Sequence, residues 1–519
     1  MKRSNLIFLL VSFIWSLCGG NAYEVNASSK PELPSIQFCG AAQMVGGSCC
    51  LIDTGENRVL IDFGLFYGAE HEARNPEVPF DPATISHVIL THAHIDHSGR
   101  LPFLYRKGFN GKVIATDATK SITGVMLEMS LGISEEQGTP IYSRENLTRT
   151  MQGFMTIPYD QRVDITSDMS VRLRDAGHIM GSAIVELWIT GKEGPMKIVS
   201  TGDIGPMKSP LLRSPSIVAE GDYILIESTY GAVRRKQESF DEFGKDIQET
   251  IKAGGSVLVP AFVLEKTQKV IYVIGALKRK GIIGKDVPVM ADSSTGREIT
   301  KLYRKYTKYY NEEGKQVLAQ YGNPLVFSSL YEVSGRASLR YHEENRPAIY
   351  LTSSGMLDHA NAPKHLEKMI GDPKNLLAIV GWQAPDSLGR KLQDGARVVR
   401  ITITDYEGGD KKVRYVEKPV RLRVKRYSQF SSHADGCDAL QWLANIPKTK
   451  KVFVIHGDKE NAGALAREIK IRLGFDAVAP SLGEMYHLKG DNAYFIRKQT
   501  KDVCAGLEGF SQMQTIADQ

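Results

Sequence analysis

Thr91-His92-Ala93-His94-Ile95-Asp96-His97-Ser98-Gly99 puts three histidines and one aspartate within six residues. Packing does not account for such a stretch. The run His87-Val88-Ile89-Leu90 before it reads as a buried strand entering a loop. In near-extended backbone, residues two apart face the same way. His92 and His94 can therefore present two imidazoles to one point. Asp96 and His97 follow once the chain has begun to turn, and can face a second point close by. Imidazole and carboxylate are ligands suited to Zn²⁺.

The chain around this stretch has 519 residues, room for two or three domains or for one large domain with an insertion. Its apolar content of 42% and charged content of 24% are those of a soluble globular protein. A formal charge of +6 is compatible with a polyanionic partner without requiring one. Lys2 and Arg3 precede the apolar run Leu6–Leu17, which is too short for a comfortable bilayer span. With the small residues Gly20-Asn21-Ala22 it predicts a signal peptide over 1–22, and hence export to a periplasm or the exterior, with an uncleaved anchor as the alternative. The mature chain is expected to have no stable membrane span. The cysteines, Cys18, Cys39, Cys49, Cys50, Cys437 and Cys504, form neither a CxxC pair nor a disulfide framework.

Strands and helices alternate from residue 36, which predicts an α/β class. Ser48–Ile52 and Arg58–Asp62 flank Thr54-Gly55-Glu56-Asn57 as a hairpin. Strand-like runs then end repeatedly in residues able to bind a metal or a proton: Asp62, His178, Asp203, Glu227 and His456. The middle changes character near 231–395, where helices Phe240–Ala253 and Leu264–Arg279 and strands Ser256–Pro260, Val287–Asp292 and Ala348–Thr352 read as a second α/β unit. In Val420-Arg421-Leu422-Arg423-Val424-Lys425 apolar and basic residues alternate. As a strand this exposes a cationic stripe able to track phosphates, or a merely solvated face.

Taken in order, these motifs resemble the β-CASP nucleases of the metallo-β-lactamase superfamily. Asp62 resembles the first motif; His92, His94, Asp96 and His97 match the second, His178 the third and Asp203 the fourth. Glu227 resembles motif A, His433 motif B and His456 motif C. Ser353-Ser354-Gly355 and Gly389-Arg390 are similar to further β-CASP text. Lys266 and Leu264-Glu265 depart from it, and are expected to touch substrate more than metal.

The resemblance implies a four-layer αβ/βα sandwich with an inserted β-CASP domain. Its first part would span 36–230, the insert 231–395, the completing part 396–490, and a polar tail 491–519. It implies two zinc ions per chain, one on His92, His94 and His178, the other on Asp96, His97 and His456, with Asp203 bridging. Two such metals lower the pKa of a shared water and clamp a phosphoryl oxygen. Asp62 would orient a ligand histidine. His433, paired with Glu227, would protonate the leaving 3′-oxygen. Ser353, Ser354 and Arg390 would contact substrate. Histidine at motif C goes with RNA-processing members, so the implied activity is hydrolysis of RNA phosphodiester bonds, single-stranded RNA favoured, endonucleolytic over 5′-exonucleolytic. A homodimer is compatible with this. The alternative is an exported hydrolase of the same fold acting on a small ester, amide or phosphodiester.

Overall fold

The computed structural model describes residues 34–489 except 69, 192–193, 236–238, 334, 345 and 408–409, with backbone alone at 406–407, 410 and 495–496. The leader expected over 1–22 lies outside the described residues, as does nearly all of the tail. Among the described residues no helix is long and apolar enough to cross a membrane.

Cys50–Asp53 and Arg58–Ile61 form the expected hairpin, with Cys50 opposite Ile61 and Asp53 opposite Arg58. They sit inside a seven-stranded sheet, in the order Met485–His487, Ser35–Phe38, Cys50–Asp53, Arg58–Ile61, Ile85–Ile89, Lys112–Ala115, Phe154–Thr156. A second seven-stranded sheet runs Ala477–Val478, Lys451–Ile455, Tyr223–Glu227, Gly194–Ser200, Ala183–Gly191, Met169–Asp175, Arg162–Asp164. The period of two along each strand decides what meets what. Leu225 faces inward with Ile198 and Phe453 against Ile36, Phe38, Ile52 and Ile61 of the first sheet. Its neighbours Ile224 and Ile226 face outward, beneath helices Gly436–Leu443 and Lys459–Leu473. On the other side Leu60, Val88 and Val113 lie beneath Leu101, Leu104 and Leu131 of helices Leu101–Arg106 and Asp117–Glu136. Strands covered on both faces explain the near-continuous apolar runs in the sequence. The result is an α/β four-layer sandwich.

A third sheet is wholly parallel: Leu330–Val333, Val289–Asp292, Ile349–Thr352, Val257–Pro260, Leu376–Ile379, Arg423–Arg426. Its last strand comes from the 396–490 stretch, which the sequence assigned to the completing part. The alternating cations there are used locally. Lys425 Nζ lies 2.6 Å from both Glu242 and Asp246, and Arg423 donates to Thr250 Oγ1 at 2.6 Å. They pin the helix Phe240–Lys252 to the sheet edge, and the Lys425 charge is met there by two carboxylates. The adjoining ribbon Val398–Glu407 with Asp410–Pro419 packs Val399, Ile401 and Ile403 onto the insert.

Strands Arg58–Ile61 and Ile85–Ile89 are parallel, as are Gly194–Ser200, Tyr223–Glu227 and Lys451–Ile455. The residues that follow their C-terminal ends meet at one rim of the sandwich. Loops held by a rigid scaffold are the usual place for a site.

Candidate metal centre

His92 and His94 leave the strand Ile85–Ile89 in extended backbone, and the short helix Ile95–Ser98 then turns Asp96 and His97 elsewhere. His92 Nε2 and His178 Nε2 each lie 3.1 Å from His94 Nδ1. Asp203 Oδ2 is 3.4 Å from His92 Nε2 and 3.5 Å from His178 Nε2. Beside them His97 Nε2 is 3.1 Å from His456 Nε2 and 3.3 Å from Asp203 Oδ1, with Asp96 Oδ2 3.4 Å from His456 Nε2. Asp203 thus turns one oxygen to each cluster.

Both clusters fit a divalent ion. Donors about 2.0–2.2 Å from a tetrahedral zinc lie about 3.3–3.6 Å from each other, close to the spacings seen. Asp203 Oδ1 is buried with no hydrogen-bond donor, a costly arrangement for a carboxylate unless a cation faces it. Burial holds His92 down to about 3 and His94 to about 4, and His178 well below its usual value. These imidazoles stay neutral, the form that ligates metal. Burial alone would also lower His97 and His456; Asp203, with Asp62 at His97 and Asp96 at His456, outweighs it and raises both. The second pocket therefore draws positive charge.

Groups around the clusters hold several of these rings. Asp62 Oδ2 lies 2.6 Å from His97 Nδ1 and accepts from Thr91 Oγ1 at 2.8 Å, while Oδ1 accepts from Thr91 N at 2.8 Å. The backbone carbonyl of Ser432 accepts from His178 Nδ1 at 2.8 Å. Thr229 Oγ1 sits 3.1 Å from His456 Nδ1. Gly64 makes room for all this: a Cβ there would lie 1.6 Å from the Asp96 carbonyl. Thr91, Thr229 and Ser432 were not singled out in the sequence. Their signal is adjacency, since each lies within three residues of a motif residue.

His433 Nδ1 is 2.9 Å from Glu227 Oε1, and its ring lies 4.4 Å from that of His178. Glu227 also accepts from Ile204 N at 3.0 Å and Thr229 N at 3.1 Å. Both acceptor positions of Oε1 are thereby engaged, one of them with His433. The His433 side chain is 22% exposed, the opening toward solvent that a substrate needs. The remaining candidates lie outside these clusters. Ser353 Oγ donates to Ser293 Oγ at 3.2 Å, Ser354 Oγ accepts from Asp358 N at 3.1 Å, and Arg390 Nε binds Asp394 at 2.8 Å. Lys266, expected at substrate, is instead half-buried and donates to the Phe430 carbonyl at 2.6 Å.

Three family models match the chain: the metallo-β-lactamase superfamily over residues 43–159, the β-CASP domain over 267–392, and the RNA specificity domain of zinc-dependent metallo-hydrolases over 417–480. The chain is 32% identical over 436 residues to ribonuclease TTHA0252 of Thermus thermophilus, covering 83% of this chain and 95% of the relative. It belongs to the β-CASP ribonuclease family. An RNase J-like protein of Methanocaldococcus jannaschii is 30% identical, with 86% of this chain and 98% of the relative covered. The transcription termination factor FttA of Methanothermobacter thermautotrophicus is 31% identical, with 87% and 71% covered. This β-CASP member is thus a metal-dependent hydrolase with RNA as its substrate. The expectation of export is contradicted by the same relatives, which are named as a ribonuclease and as a transcription termination factor.

Proposed function

We propose that this β-CASP ribonuclease holds two zinc ions and cuts single-stranded RNA internally. The supporting observation is the pairing of two adjacent donor clusters, sharing Asp203, with a half-open His433 held by Glu227. One ion would take His92, His94 and His178, the other Asp96, His97 and His456, with Asp203 between. Such a pair supplies hydroxide near neutral pH and neutralises charge on the phosphoryl oxygens. The chain's own residues do the rest. Asp62, Ser432 and Thr229 fix ring orientation at His97, His178 and His456, which sets the basicity of each ligand nitrogen. As hydroxide attacks phosphorus and the P–O3′ bond breaks, the departing oxygen needs a proton. His433 gives it from Nε2, while Glu227 at Nδ1 stabilises the protonated ring. Ser353 and Ser354 offer hydroxyls to substrate phosphates, and Arg390 would reach them by leaving Asp394. Residues 231–395 would form the insert, together with the strand Arg423–Arg426.

The test is a circular single-stranded RNA. Internal cutting linearises it, and that is the expected result. If the circle survives while 5′-labelled linear RNA is shortened from its end, the enzyme is an exonuclease.

A further inference from the structure

Three ionisable side chains of the insert, two buried and Lys266 half-buried, lie beside the site without entering it. Glu265, Lys266 and Lys269 stand where the loop after strand Val257–Pro260 enters helix Lys266–Arg279. Lys269 Nζ is 3.6 Å from Glu265 Oε1, and the two side chains are 1% and 2% exposed. A buried pair like this is weak evidence for stability, because desolvation cancels most of the attraction. What it holds is more informative. Lys269 Nζ donates to Ser432 Oγ at 2.9 Å and to the Ser431 carbonyl at 3.2 Å. Lys266 Nζ takes the carbonyl of Phe430. These three acceptor residues run directly into His433, and the Ser432 carbonyl is the group that orients His178.

The same pair reaches the site from the other side. Tyr303 Oη donates to Glu265 Oε2 at 2.5 Å and accepts from Met180 N at 3.2 Å, two residues beyond His178. Glu265 adopts φ of +64° and does not cap the helix with its side chain. A non-glycine residue held in that region costs energy and persists where its surroundings over-determine it. Its surroundings here are Tyr303 and Lys269.

We propose that Glu265 and Lys269 are positioning residues: a buried ion pair through which the inserted domain fixes the loop Phe430–His433, and with it the orientation of His178 and His433. The pair acts through the Ser432 carbonyl on one side and through Tyr303 and Met180 on the other. This rests on the metallo-nuclease reading above, so its test reads metal binding as well as cleavage.

The full chain is compared with Lys269→Met, Lys269→Arg and Glu265→Gln/Lys269→Met. Zinc affinity is measured by competition with a chelator, and the ligand field by the absorption bands of the cobalt-substituted protein. Loss of a group that orients a ligand histidine typically weakens metal binding about 10–100-fold. That loss, with shifted cobalt bands, is expected for Lys269→Met and the double variant. Lys269→Arg, which keeps donors for Ser431 and Ser432, should restore both. If Lys269→Met fails to fold around an unpaired Glu265, the double variant decides, since it leaves no buried charge of the pair. Wild-type zinc affinity and cobalt bands in the double variant would overturn the proposal, whatever its melting temperature. A wild-type chain that cleaves no RNA would sink the ribonuclease reading, while the metal readouts would still decide this one. A wild-type chain binding neither zinc nor cobalt overturns both.

Discussion

On the proposed mechanism single residues divide into ligands, orienting groups and a proton donor, and each should fail differently. His94 contributes the nitrogen that both His92 and His178 approach at 3.1 Å. His94→Ala should abolish cleavage and release metal while the melting temperature of the metal-free protein stays unchanged; full activity would remove it from the ligand set. His433→Ala should retain its metal and lose roughly 10²–10⁴ in kcat, the usual worth of a general acid, and metal loss would move it among the ligands. Asp62→Asn keeps the shape of the side chain but turns a carboxylate facing His97 Nδ1 into an amide. A loss of about 10–100-fold in metal affinity or kcat is expected, measured on the purified variant.

At the scale of elements, the strand ends carry the function and the glycines decide whether they can meet. A Cβ on Gly64 would collide with the backbone beside Asp96, so Gly64→Ala should displace the Asp96–His97 turn. Zinc content should fall by about half with secondary structure kept by circular dichroism; unchanged zinc would contradict this account of the turn. The clustering of these histidines and aspartates was legible in the sequence because a strand end followed by His-x-His-x-Asp-His fixes both residue type and direction. Orienting groups that act through backbone, such as the Ser432 carbonyl, carry no residue-type signal. The Glu265–Lys269 pair carried no signal in the sequence, because charged residues on a helix ordinarily face water. Of the alternating cations of 420–425 the strand Arg423–Arg426 was legible in part, but the carboxylate partners of Lys425, Glu242 and Asp246, stand far away in sequence. Only the tertiary fold brings them there.

At the scale of the whole molecule, a sandwich with an inserted parallel sheet stacks buried polar groups at several depths, and some of them should set its response to acid. His342 stacks on Tyr350 with centroids 3.9 Å apart, and its Nε2 is 2.8 Å from His365 Nδ1. Burial, with His365 and Lys368 nearby, lowers its pKa to about 3. In the unfolded chain the ring titrates near 6.5. Between those values the unfolded state holds more protons, so stability rises with pH. It is therefore complete above about pH 6.5 and is lost progressively as pH falls toward 3. The loss is of the order of 2–3 kcal/mol once the partial exposure of the ring is allowed for. His342→Gln should flatten the acid limb of a urea-denaturation series run from pH 7 to 4; an unchanged slope would show that other groups set it. The architecture as a whole exists to bring the two halves of the sandwich and the insert to one rim. The most direct measurement of that claim is cleavage of an internally labelled single-stranded RNA by the purified chain, untreated, after chelation, and after zinc is returned. The account predicts internal fragments that vanish on chelation and reappear with zinc. RNA left intact by the untreated chain, or cut equally well after chelation, would contradict it.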